Sequence, residues 1–336
     1  MVTTKLNRTE KYQYIDSLRG FAVFAVLLTH CQLYGSNQYS LPFKSLLDHG
    51  TLGVQLFFII SAFTLCLSFN QKLQFEKHPI LNFYLRRFFR IMPLFLLATI
   101  FYHFSPDNLD NSIPFNSLVP GSWTIFVESG FYLIFPFLFF RINSLKRSLW
   151  FSLFLAIIYQ IFYYIYYHQV NNLYYYLPAQ LSVFLIGFIL FHFTKIKLAS
   201  LKPTLSDLAL GQLFILIIII QLSSQTILPY HFIFSILFGI SIYLLSLYPI
   251  RLFVNKITAY IGKISFSLYI THFAVLKFMD SNHLVDFVNQ NYLNFFIRLL
   301  LLLIVSTLVS TLTYYLIELP FINLGQKLIN RYQTPA

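Results

Sequence analysis

Residues 15–34 read IDSLRGFAVFAVLLTHCQLY, with Arg19 near the start and His30 deep inside. The run is apolar and long enough to cross a hydrocarbon core, which takes about 20 helical residues. Ionisable side chains inside a span are costly and turn toward an interior cavity, so a span holding two of them points to a membrane-embedded site. On a helix, positions 19 and 30 lie about 16 Å apart along the axis and only about 20° apart around it. They share one face. Lys5, Arg8 and Lys11 before the run imitate a secretory signal peptide. The run is too long for one and has no small-residue cleavage site, so it reads as a retained first helix.

The rest of the chain repeats this pattern. Of its 336 residues 57% are hydrophobic and 10% charged, with a mean hydropathy of +0.68. So little charge cannot cover the surface of a soluble domain. Apolar runs at 15–34, 52–70, 88–104, 123–141, 148–168, 177–193, 208–222, 229–248, 262–279 and 292–317 predict an all-α integral membrane protein of about ten transmembrane helices. The expected organisation is a single membrane domain over 1–336 with no soluble appendage.

The net charge of +12 invites a nucleic-acid reading, but its distribution excludes one. With the N-terminus inside, all of the 23 Lys and Arg except Lys44, Lys277 and Arg298 fall in the cytoplasmic set. That asymmetry follows the positive-inside rule, and predicts cytoplasmic termini with the lipid bilayer as the basic residues' partner. Cys31 and Cys66 both lie in expected spans, so a secreted disulfide framework is ruled out. No histidine spacing suggests a metal site.

The shared face of Arg19 and His30 suits a long donor that enters from the cytoplasm, charged end at Arg19 and reactive end at His30. Acyl-coenzyme A has that shape, and an imidazole can act as general base or as acyl-accepting nucleophile. The basic run Arg86, Arg87 and Arg90 reads either as anchoring in anionic lipid or as a site for phosphates, which guanidinium groups bind in a planar, bidentate way. Glu128 lies a few residues into the fourth span, where a carboxylate can orient the imidazole or act on an acceptor hydroxyl. Asp16 is placed to pair with Arg19 three residues along the helix. His272 is a second buried imidazole, with a helix-to-helix contact as its bland alternative. The aromatic run from Tyr174 to Tyr176 is placed to fringe an outer cavity.

Several short segments then fall in a telling order. They are Asp16-Ser17-Leu18-Arg19-Gly20 with His30, Gly53-Val54-Gln55-Leu56-Phe57-Phe58, Arg86 through Pro93, Trp123 through Glu128, Ser267 through His272, and Glu318-Leu319-Pro320. In that order, over nearly the whole chain, they resemble the acyltransferase family 3 membrane proteins, which O-acylate cell-surface polysaccharides. The resemblance implies that His30 is the essential histidine, that Arg19, Arg86, Arg87 and Arg90 contact the acyl donor, and that the Glu128 region lines the site. Asp16, Trp123, Tyr269 and His272 are the further candidate lining residues. The implied donor is acetyl-CoA or another acyl-CoA, with no permanently bound cofactor, and the implied acceptor is a surface polysaccharide or lipid-linked glycan. A secondary transporter or flippase of an anionic solute is the competing reading, and the inverted repeats of such folds are not visible in this sequence.

Overall fold

The computed structural model describes residues 13–35, 47–104, 113–166, 173–195, 211, 230–247 and 249–333. Regular structure among them is entirely helical. In chain order the helices are α1 Gln13–Gln32, α2 Gly53–Lys72 behind a 3-10 turn at His49–Leu52, α3 Pro79–His103, α4 Trp123–Arg141, α5 Leu145–Tyr166 and α6 Leu177–Phe193. There follow α7 Tyr230–Leu247, α8 Lys256–Lys263, α9 Ser265–Ser281, α10 Asn291–Thr313, a π turn at Tyr314–Glu318, and α11 Leu319–Gln333.

Each expected apolar run coincides with a helix, except 208–222, of which only Gly211 is described. Among the described residues five helical stretches meet the length and apolarity of a span, and α8 with α9, bent by 75°, makes a sixth. The chain is a multi-pass membrane protein. Adding α3, which carries three arginines, α6, with 17 residues, and α7 gives nine of the expected ten, and the tenth, 208–222, lies outside the described residues apart from Gly211. Boundaries also move. Pro79 sits in the first turn of α3, where its fixed φ suits a helix start. Arg86 and Arg87 therefore lie inside α3 and not in the loop expected before it.

The helices divide between two compact units. The first holds α1, the chain up to Ile60, α7, α8 and Leu276–Ile304. Here α1 and α8 meet backbone to backbone. A Cβ on Gly262 would lie 1.6 Å from the Asp16 carbonyl oxygen, and one on Gly20 2.4 Å from that of Thr258. Such contact needs small residues, as membrane helix pairs commonly use. Asn255 caps α8 in a capping box with Thr258, whose hydroxyl also donates to Ser17 Oγ at 3.0 Å. The other end of α1 is tied by Thr29 Oγ1 donating to Leu47 O and Gln32 Nε2 donating to Asp48 Oδ1 at 2.7 Å. Arg298, buried at 3% exposure, donates from Nη1 to Cys31 O at 3.4 Å, a cation at a helix C-terminus.

The second unit holds Ser61–Lys195, Ser267–Val275 and the chain from Val305 onward. Its core is aromatic: Phe131 stacks on Phe184 at 4.0 Å and Phe83 on Phe135 at 5.1 Å, and Phe69 meets Phe83 and Phe135 edge-on. Such pairs add stabilisation beyond their buried area. α5 packs on α6, with Ser152 Oγ donating to Ser182 O at 3.2 Å. The rest of α5 presents apolar side chains such as Trp150 and Phe154 outward, as a bilayer-covered helix does. α11 packs on α3, and the close approach of Gly325 to Phe89 marks the contact, since a Cβ there would lie 2.8 Å from that side chain. Before it, the π turn buries Glu318 at 2% exposure, and Ser267 Oγ donates to Glu318 Oε2 at 2.8 Å.

Candidate active site

In the first unit, α1 runs unbroken from Gln13 to Gln32 and carries Asp16, Arg19 and His30. Arg19 Nη1 donates to Asp16 Oδ1 at 3.1 Å, the pairing expected from their spacing. The carboxylate is 45% exposed, so the pair is a surface contact of modest strength. It steadies the guanidinium without sealing it from other anions. His30 lies half-buried near the C-terminal end of the helix.

In the second unit, Glu128 sits in the second turn of α4. Ser61 Oγ from α2 donates to Glu128 Oε1 at 2.6 Å, and Tyr132 Oη donates to the same oxygen at 2.5 Å. The two hydroxyls are 3.3 Å apart. Tyr132 follows Glu128 by four residues, so the helix itself places both on one face. Two O–H donors on Oε1 fix the carboxylate plane. Both hydroxyls hold Oε1, and Oε2 is not the atom they engage.

The three arginines of α3 separate into different surroundings. Arg87 lies with its Cζ 5.7 Å from the Tyr132 ring centroid, within electrostatic reach of Glu128. Its buried Nε has no hydrogen-bond partner among the described residues. Arg90, one turn on, lies within electrostatic reach of Tyr132 and Glu318. Arg86 instead makes a fork with Glu76, Nη1 to Oε1 at 2.9 Å and Nη2 to Oε2 at 3.0 Å, and Asn82 Nδ2 adds a donor to Oε2 at 3.1 Å. That fork pins the segment between α2 and α3.

The remaining candidates frame α4. Gly121, at φ +76°, turns the chain just ahead of it, and its carbonyl accepts from Tyr269 Oη at 3.0 Å. Thr124 Oγ1 stands 2.9 Å from the same phenol. Trp123 is buried against Tyr174 and Tyr175, with ring centroids 5.5 and 5.0 Å away. His272 is fully buried, and its Nδ1 donates to the carbonyl of Tyr269 at 2.8 Å on its own helix. No group of three His, Cys, Asp or Glu among the described residues is arranged to hold a metal ion.

Ser61, Glu76, Tyr132 and Glu318 were not singled out as site residues from the sequence. Tyr132 was within reach, four residues after Glu128 on the same helix. Ser61 lies three residues beyond the Gly53–Phe58 segment, but its partner is 67 positions away.

The family model described as an acyltransferase domain matches residues 12–315. Among curated proteins, the chain is similar to the O-acetyltransferase OatA of Staphylococcus aureus strain NCTC 8325 / PS 47, 26% identical over 93% of this chain and 57% of that protein. OatA of strain COL matches with the same figures. The chain thus spans less than two thirds of the length of these relatives. No solved structure matches it.

Proposed function

The chain belongs to this acyltransferase family, and from that premise we propose that it is a membrane O-acetyltransferase. The proposed reaction moves an acetyl group from cytoplasmic acetyl-CoA to a hydroxyl of a glycan outside a bacterial cytoplasmic membrane. The observation that supports this reading is the continuity of α1: one unbroken helix holds Arg19 and His30, whose eleven-residue spacing keeps them within about 20° of each other around it. A guanidinium toward one end and an imidazole toward the other match a donor with a phosphorylated head and a reactive thioester at the end of a long arm.

In this reaction Arg19, Arg87 and Arg90 hold donor phosphates, while Arg86 holds Glu76 and thereby the start of α3. In the proposed two-step course the His30 imidazole attacks the thioester carbon and takes the acyl group while coenzyme A leaves as a thiolate that picks up the ring proton; in a one-step course His30 is instead the base for the acceptor hydroxyl and passes that proton to the thiolate. In the two-step course Glu128 takes the proton of the acceptor hydroxyl as it attacks the acyl-imidazole, through Oε2 because Oε1 is already occupied by two donors.

The test is the purified protein in proteoliposomes with acetyl-CoA and a glycan acceptor, reading coenzyme A thiol release and acetyl on the glycan together. His30→Ala should abolish both while membrane insertion and detergent elution stay unchanged. Full turnover in that variant refutes the role of His30. A wild-type protein that moves solute but releases no thiol refutes acyl transfer and favours a transporter.

A further inference from the structure

Tyr132 touches two groups with two different parts of one side chain. Its hydroxyl donates to Glu128 Oε1 at 2.5 Å, and its ring lies beneath the Arg87 guanidinium at 5.7 Å. The residue is 7% exposed and packs beside Phe83 and Phe131, with ring centroids 6.2 and 6.5 Å away. We propose that Tyr132 is a positioning residue for two parts of the site at once, its ring seating the donor-binding Arg87 and its hydroxyl aiming the catalytic carboxylate of Glu128. The inference rests on the acyl-transfer reading above and assigns within it a role to a residue that neither the sequence motifs nor the family resemblance pointed to.

The geometry separates the two roles. Glu128 and Tyr132 share α4, so the helix sets their distance and α3 does not. Arg87 comes from α3 and lies over the aromatic face, a contact that tolerates sliding because the attraction is to the ring's whole negative face. A phosphate drawing on Arg87 shifts the guanidinium across that face without pulling the hydroxyl from Oε1. Ser61 Oγ, 2.6 Å from the same oxygen, holds the carboxylate from a third helix, α2. Oε2 is thereby kept in one orientation whether or not donor is bound.

Because ring and hydroxyl are different atoms, they can be removed separately. Tyr132→Phe keeps the face under Arg87 and loses the bond to Glu128, together with the hydroxyl's own attraction for Arg87. Its kcat for glycan acetylation should fall about tenfold, the scale of one hydrogen bond to a charged group, with a rise in the KM for acetyl-CoA well short of that fold-change. Tyr132→Leu loses both, so a similar fall in kcat should come with a rise in donor KM of about tenfold, the scale of a desolvated cation–π contact. A residue that merely fills space would move both constants together in both variants. Unchanged kcat in Tyr132→Phe, or a KM rise there matching the loss of kcat, overturns the assignment. Should Tyr132→Leu fail to accumulate in membranes, the split in Tyr132→Phe decides alone. A wild-type protein that releases no coenzyme A sinks the acyl-transfer reading and this inference with it, whereas wild-type turnover with an unaffected Tyr132→Phe sinks only the inference.

Discussion

Replacing Gly262 by alanine tests whether the backbone contact between α1 and α8 holds the helix that carries Arg19. The new Cβ would lie 1.6 Å from the Asp16 carbonyl oxygen, where ordinary contact begins at 3.4 Å. Both partners are backbone, so no rotamer relieves the overlap, and the helices must separate by roughly 1.8 Å. Overpacking costs typically about 1–3 kcal/mol, and a clash between two backbones belongs at the upper end. Against it, Gly→Ala inside a helix gains about 1 kcal/mol of propensity. The net expectation is a loss of about 2 kcal/mol for Gly262→Ala. Gly20→Ala is the internal control. Its Cβ would sit 2.4 Å from Thr258 O, so the separation needed is about 1 Å and the two effects nearly cancel. Thermal unfolding in detergent, followed by donor KM in the variants that remain folded, reads the outcome. Gly262→Ala should melt earlier and bind donor more weakly, since α1 must move with Asp16. Equal melting of Gly262→Ala and wild type, or a larger loss for Gly20→Ala, refutes the reasoning.

Two further expectations concern the second unit. Arg86 and Glu76 form a fork with side chains only 12% and 11% exposed, so Glu76→Ala should cost about 2 kcal/mol by stranding a charge. The double variant with Arg86→Ala should cost less than the sum of the singles, and additive melting shifts would show that the fork is energetically idle. Gly121→Ala forces a side chain onto φ +76°, with its Cβ 2.9 Å from Tyr269 Oη. The expected loss is about 2 kcal/mol, part of which should be recovered in the Tyr269→Phe background, where the crowding oxygen is gone. No recovery in that double variant would locate the whole cost in the backbone.

What the sequence made legible follows from how local each feature is. The apolar runs became helices because hydrophobicity over 17 to 25 residues is a strong local signal, and Asp16 met Arg19 because three positions on a helix fix the distance. Tyr174 and Tyr175 did gather, against Trp123. Arg86 and Arg87 looked like loop residues because their charge outweighed the quieter start signal at Pro79, nine residues into the expected loop. The partners of Glu128 and Arg86 were harder. Tyr132 shares a helix with Glu128, but the pull of Ser61 comes from α2, and the fork with Glu76 depends on how a connecting segment folds back. Nor does apolarity alone register that Gly20 and Gly262 bring two backbones into contact, since glycine scores as neutral in any hydropathy window.

The π turn at Tyr314–Glu318 has a further consequence. On one side of it Ser310 Oγ lies 2.9 Å from Thr271 Oγ1, and on the other Gly325 presses on Phe89. Both anchors belong to the second unit, and between them the helix carries more residues than an ordinary α path of that length would hold. The fold therefore reads this stretch by counting. Leu316 and Tyr315 point outward, and their identity is cheap to change. Their number matters more, because one residue fewer would let the same path close as ordinary α-helix and the wide turn that ends at Glu318 would be gone.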